Sequence, residues 1–177
     1  MWNYWRLNNA TQLRRRVRWA VGAFIAGLVL TGLSVFPVVT LVNFLQVWGQ
    51  LNLPEFELTQ WLTQVNQALQ YNQQHYPFLL YTLDWLGFAH LLIALVFIGA
   101  WRDPVRNIWV IEFGMVACIL TLPAILLFGI KTHIPPFWWL IDALFGAIGV
   151  AVLGYAHYFT RRLEQMLATD KIEMDLS

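Results

Sequence analysis

Charge is what this sequence has least of. Only 12% of its 177 residues are Asp, Glu, Lys or Arg, against about 25% in an ordinary soluble domain. Too few charged groups remain to wet a surface all round, so the solvent around this chain is largely lipid. The single cysteine, Cys118, excludes an intrachain disulfide and a CxxC redox pair. Also missing are a GxSxG elbow, an HExxH zinc motif and a phosphate-cradling glycine loop, so no motif implies a cofactor or a metal. No long basic block with interleaved polar residues occurs, which sets nucleic acid aside as a partner.

What the chain has instead is 59% hydrophobic residues, ten tryptophans and a mean hydropathy of +0.55. Four apolar runs stand out, at about 20–45, 77–100, 104–130 and 137–159. Each exceeds the roughly 20 residues that cross a bilayer core. The expected fold class is therefore an all-α integral membrane protein. It is a four-transmembrane-helix bundle forming one membrane domain over 1–177. Trp2, Tyr4, Trp5 and Trp19 among the arginines of residues 1–19 suit a headgroup boundary. Pro37 is expected to kink the first span. Ala23, Ala26, Gly27, Thr31 and Ser34 give that span a small-residue face, and Gly146, Gly149 and Gly154 do the same for the fourth.

Residues 47–76 are polar but poor in charge, rich in Gln and Asn. Leu58, Trp61, Leu62, Val65 and Leu69 recur at helical spacing. The expectation is an amphipathic extracytoplasmic helix between the first two spans, either a surface connector or a lid. Asp103-Pro104 is a good N-cap and first-turn pair, so the third helix is expected to begin at 104. The tail from 160 to 177 is polar and expected to fray after a last helical turn or two.

Orientation follows from the cations. Of eleven Lys and Arg residues, ten lie in the N-terminal segment, the 101–107 corner and the tail, leaving Lys131 for the opposite side. That asymmetry predicts both termini on the cytoplasmic side of a bacterial inner membrane, with the 47–76 segment outside.

Ionisable groups stranded in such spans are functional candidates. Asp84 and Asp142 are expected near the outer third of the membrane. Tyr81 and Asn43 approach that level, and His133 lies just above. Together these residues predict an acidic pocket for a cation, a proton or a small polar ligand. The plainer reading has each Asp bonding separately to a neighbouring helix. His90 is expected near mid-membrane as a satisfied core histidine. A His–Cys metal or haem pair with Cys118 is the sharper alternative, with no second intramembrane histidine placed to face it. Glu112 is expected one turn inside the cytoplasmic boundary, at the level of Arg18, Arg102, Arg106 and Arg161, in a structural polar network with these arginines, Asp103 and His90, or beside an arginine-built anion pocket.

Three functions compete. The first is a non-enzymatic binding protein built on the acidic pocket. The second is a structural or assembly subunit docking other membrane subunits, or copies of itself, through its helix faces. The third is a membrane-embedded enzyme acting on a lipid or prenyl substrate. It is disfavoured because six residues separate Asp84 from His90, turning them about 120° apart on one helix.

The blocks DWLGFAH, GAWRDPVRNIWVIEFGM and PPFWWLIDALFG resemble an uncharacterised bacterial family of small four-span integral membrane proteins. The resemblance implies the four-span topology and carries no activity with it.

Overall fold

The computed structural model describes residues 2–132 and 134–175, with side chains described for 9–132, 134–169 and 172. His133, the aromatic and basic residues before Asn9, and the tail's Asp170, Lys171, Glu173 and Asp175 therefore lie, as side chains, outside the described residues.

Among the described residues there are six helices and no strand: α1 (Trp2–Val35), α2 (Val38–Asn52), α3 (Glu57–His75), α4 (Pro77–Arg102), α5 (Ile108–Thr132) and α6 (Pro136–Asp175). Four stretches are long and apolar enough to cross a membrane: Asn9–Val35, Pro77–Arg102, Ile108–Thr132 and Pro136–Thr169. At most 22% of the most apolar window of any of them is buried within the chain. Such exposed apolar flanks suit acyl chains and not water.

Several boundaries differ from the sequence expectation. The first span ends at Val35, because Phe36 and Pro37 form a turn. Pro37 has no N–H to continue the ladder, and helix resumes with Leu41 N–H donating to the Pro37 carbonyl at 2.9 Å. The apolar residues up to Leu45 thus belong to α2. Upstream, α1 runs from Trp2 without interruption, so the arginine-rich start continues the span's own helix. The third helix begins at Ile108 and not at 104. Pro104 is buried in a turn, and Asn107 closes it by donating to the carbonyls of Gly99 (3.1 Å) and Asp103 (3.0 Å). The tail stays helical to Asp175.

By proximity the chain divides into two compact units, Met1–Ala26 with Leu95–Ser177, and Gly27–Ala94. In the first, Val17 and Val21 of α1, Phe97 and Ala100 of α4, Ile111 of α5, and Leu153 and Leu163 of α6 are all buried. Phe24 and Phe97 pack at 4.8 Å between ring centroids. Gly114 leaves room for Phe97 and Leu153, and Gly149 for Cys118, so α5 and α6 approach closely.

In the second unit α1 crosses α4 at Gly32 and Gly87. A Cβ on Gly32 would stand 2.9 Å from the Gly87 carbonyl oxygen, and one on Gly87 would stand 2.7 Å from the Gly32 oxygen. Each glycine makes room for the other's backbone. The small-residue face expected from spacing is not the one used. Ala23, Ala26 and Gly27 are exposed, and neither Gly27 nor Gly154 has a neighbour within 4 Å of a would-be Cβ. In the same unit α2 packs against α3. The buried Asn66 donates to Asn43 Oδ1 (3.1 Å) and Gln46 Oε1 (2.8 Å), and Gly49 seats Thr59.

Candidate functional site

The best-developed polar constellation joins the start of α5 to the far part of α6. Glu112 is the fifth residue of α5, which begins at Ile108. His157, Arg161 and Glu164 follow one another at steps of four and three along α6, so they share a helix face. His157 Nε2–H donates to Glu112 Oε1 at 3.1 Å, and Arg161 Nη2 donates to the same oxygen at 3.0 Å. Arg161 Nη1 reaches Glu164 Oε2 at 3.1 Å. The side chains of His157, Glu112 and Arg161 are 30%, 43% and 49% exposed, so the cluster is half-open. Its carboxylates and cations answer one another internally, and the arrangement ties two helices together at one level.

A second tie completes this region. Arg18 donates through Nε to the Trp101 carbonyl (3.1 Å) and through Nη2 to the Arg102 carbonyl (3.2 Å), while its guanidinium stands 5.4 Å from the Trp101 ring centroid. These carbonyls end α4 and have no helical partner of their own, so a cation satisfies both their hydrogen-bonding need and the helix dipole. Glu112 finds its cation in Arg161. Arg102 takes part through its carbonyl, and Arg106 through a long backbone N–H bond to Asp103 Oδ1 at 3.4 Å.

His157 is the member that sequence reasoning overlooked. It lies near the far end of the expected fourth span, bonded to Glu112. Counting four residues back from Arg161 would have found it. His90 donates through Nδ1 to the Leu86 carbonyl one turn back, at 2.8 Å, whereas Thr31 and Ser34 bond within α1. Among the described residues no three His, Cys, Asp or Glu side chains gather as a metal would require.

The residues of the expected outer pocket are distributed as follows. Asn43, Tyr81 and Asp84 belong to the unit Gly27–Ala94, and Asp142 to the other. Asn43 is bonded to Asn66, and Tyr81 packs edge-on against Trp85. Asp84 is half-buried and Asp142 exposed. Neither acid has a hydrogen-bond or ion-pair partner among the described residues. One turn before Asp142, the indole N–H groups of Trp138 and Trp139 are buried without an acceptor.

An open groove of about 490 Å³ runs between α1 and α6. Its walls are Asn9, Gln12, Leu13 and Arg16 on one side and Phe159, Arg162, Gln165, Met166 and Thr169 on the other.

In comparisons with known proteins the chain matches no family model, no curated protein and no solved structure.

Proposed function

We propose that this chain is a multi-pass protein of a bacterial inner membrane, with both termini cytoplasmic, that serves as a non-catalytic assembly subunit. It docks a partner membrane protein through the flank of α6 that carries Asp142. The four spans form a bundle in this reading, α3 is an amphipathic helix on the outer face, and the three sequence blocks support a resemblance to the four-span family. The cation asymmetry supports the orientation, since ten of eleven basic residues fall on one side.

Asp142 is the observation that carries the function. It is exposed and unpartnered among the described residues. Its exposed neighbours along α6 are Leu140, Leu144, Phe145 and Ile148. Six residues separate it from the helix start, about 9 Å at 1.5 Å per residue, so it stands well inside an apolar layer. A carboxylate facing acyl chains costs up to about 2.5–3.5 kcal/mol at mid-membrane. A cation or hydroxyl on a partner's membrane helix at the same depth removes that cost and fixes the register between the helices.

Purification in a mild detergent tests this. The wild-type chain should carry a stoichiometric membrane partner, and Asp142→Leu should release it while eluting as a folded species. A solitary wild-type chain, or a partner that survives Asp142→Leu, refutes the docking role.

One observation favours a second reading, in which Asp84 serves a cation, proton or small polar ligand. Asp84 is also without a partner among the described residues, on a helix that carries Tyr81 three residues earlier. Under that reading Asp84→Asn abolishes a cation-dependent rise in unfolding temperature, whereas the docking reading leaves that temperature independent of cation.

A further inference from the structure

Two arginines without an acidic partner among the described residues line one groove. Arg18 is held by carbonyls, and Arg161 by two carboxylates. Arg16 and Arg162 instead have no acidic partner among the described residues. Each lies on an aromatic ring, Arg16 at 5.3 Å from the Phe159 centroid and Arg162 at 5.1 Å from that of Tyr158. Stacking holds the plane of a guanidinium and leaves its N–H edge free, the edge that matches a phosphate as a fork. Among the described residues no carboxylate lines the groove or answers the two charges. Its walls combine apolar Leu13, Phe159 and Met166 with amides from Gln12 and Gln165. That mixture suits a molecule with a charged head, polar ester groups and a hydrocarbon end.

The helices' lengths set the level. α1 has 34 residues and α6 has 40, about 51 and 60 Å at 1.5 Å per residue, against a hydrocarbon layer of about 30 Å. Both overhang the layer. Arg16 directly precedes the buried Val17, and Arg162 follows the aromatic end of an apolar run at Phe159. The groove therefore stands where headgroups lie.

We propose that this groove binds the phosphate of an anionic phospholipid between Arg16 and Arg162, with the start of its acyl chains against Phe159 and Met166. Arg16 and Arg162 supply the fork donors, and the glutamines bond the glycerol and ester oxygens. The proposal is independent of the docking flank at Asp142, which lies more than a dozen residues away along α6.

The full chain, purified in mild detergent with phosphatidylglycerol or phosphatidylcholine added, reads this out by native mass spectrometry of retained lipid. Wild type should retain phosphatidylglycerol in preference to phosphatidylcholine. Removing two headgroup-level arginines at about fivefold each should cut that retention about 25-fold in Arg16→Gln/Arg162→Gln. Arg14→Gln/Arg15→Gln removes the same charge from exposed positions outside the groove, and should lose less than about threefold. Equal losses in the two double variants would reduce the effect to diffuse attraction and overturn the proposal. So would the absence of a headgroup preference, or release of the lipid by millimolar inorganic phosphate, which would mark a free-anion site. Should Arg16→Gln/Arg162→Gln fail to fold, a photoactivatable phosphatidylglycerol on the wild-type chain decides instead. Adducts on residues 159–169 support the groove, and adducts confined elsewhere refute it.

Discussion

The crossing of α1 and α4 gives the sharpest test of how this fold is held. Gly32 and Gly87 put backbone against backbone, and a methyl group on either would stand 2.9 or 2.7 Å from the other's carbonyl oxygen. An ordinary C···O approach is about 3.3–3.6 Å, so Ala at either position must drive the helices apart by about half an ångström. No side chain can swing away to relieve this, because the obstructing atom is peptide oxygen. Gly32→Ala would also crowd His90 Cβ at 3.1 Å, and Gly87→Ala would crowd Val35 Cβ at 3.1 Å. Overpacking of this kind costs about 1–3 kcal/mol, partly offset by the roughly 1 kcal/mol that Ala gains over Gly within a helix. Gly27→Ala isolates the propensity gain, since nothing lies within 4 Å of its would-be Cβ. We expect Gly32→Ala and Gly87→Ala each to be less stable than Gly27→Ala by about 1–3 kcal/mol, read as tryptophan-fluorescence unfolding in mixed micelles. The double variant should lose less than the sum, because one separation of the helices accommodates both methyl groups. If Gly32→Ala and Gly27→Ala shift unfolding alike, the close crossing is not part of the folded chain.

Other consequences are equally direct. Glu112→Leu leaves His157 without its acceptor and Arg161 with Glu164 alone, and should cost about 1 kcal/mol, with Glu112→Gln costing less; these side chains are too exposed for more. Asn66→Leu strands the acceptors of Asn43 and Gln46 and should destabilise the α2–α3 pair by about 1–3 kcal/mol, measured as faster amide exchange in residues 38–75 than elsewhere. In a Cys118→Ser background, Tyr71→Cys should react with a membrane-impermeant maleimide from outside intact cells, while Arg106→Cys should react only after permeabilisation; the reverse pattern overturns the orientation.

How much of this was readable in advance depends on whether the deciding interaction runs along one helix or between two. Four spans were legible because length and apolarity are properties of a single stretch. The turn at Phe36–Pro37 was legible as a proline effect, yet only its strength separates a kink from a break. Here the ladder stops and restarts, so α2 takes residues that look like the end of a span. The corner at 103–107 was misread as a helix start because Asp103-Pro104 fits the first turn. What overrides that local fit is Asn107, whose amide reaches back to the Gly99 carbonyl across the bend. Spacing of small residues on α1 pointed to Gly27, but spacing ranks positions on a helix without knowing which face meets a neighbour. Gly32 is decided by Gly87, more than fifty residues on. Asn43 looked like a pocket wall for the same reason, since its partner Asn66 belongs to another helix.

The polar groups sort by whether they have spent their bonds inside the chain, and that division separates architecture from recognition. Glu112, His157, Arg161, Arg18, His90, Asn107 and Asn66 all bond to other groups of the chain, and removing one should change stability first. Asp84, Asp142, Arg16 and Arg162 have no such bond among the described residues, although charge in or beside an apolar layer is what such a chain most needs to satisfy. On the proposals above, ions in those positions are stabilised by something outside the chain. The acids stand in the spans and the arginines where α1 and α6 overhang them, so the two kinds of unspent charge call for different company: a donor presented within the membrane for Asp142, and an anion presented at its surface for Arg16 and Arg162. Asp142→Leu and Arg16→Gln/Arg162→Gln should therefore each weaken one association and leave the other intact, a separation that a merely destabilised protein would not produce.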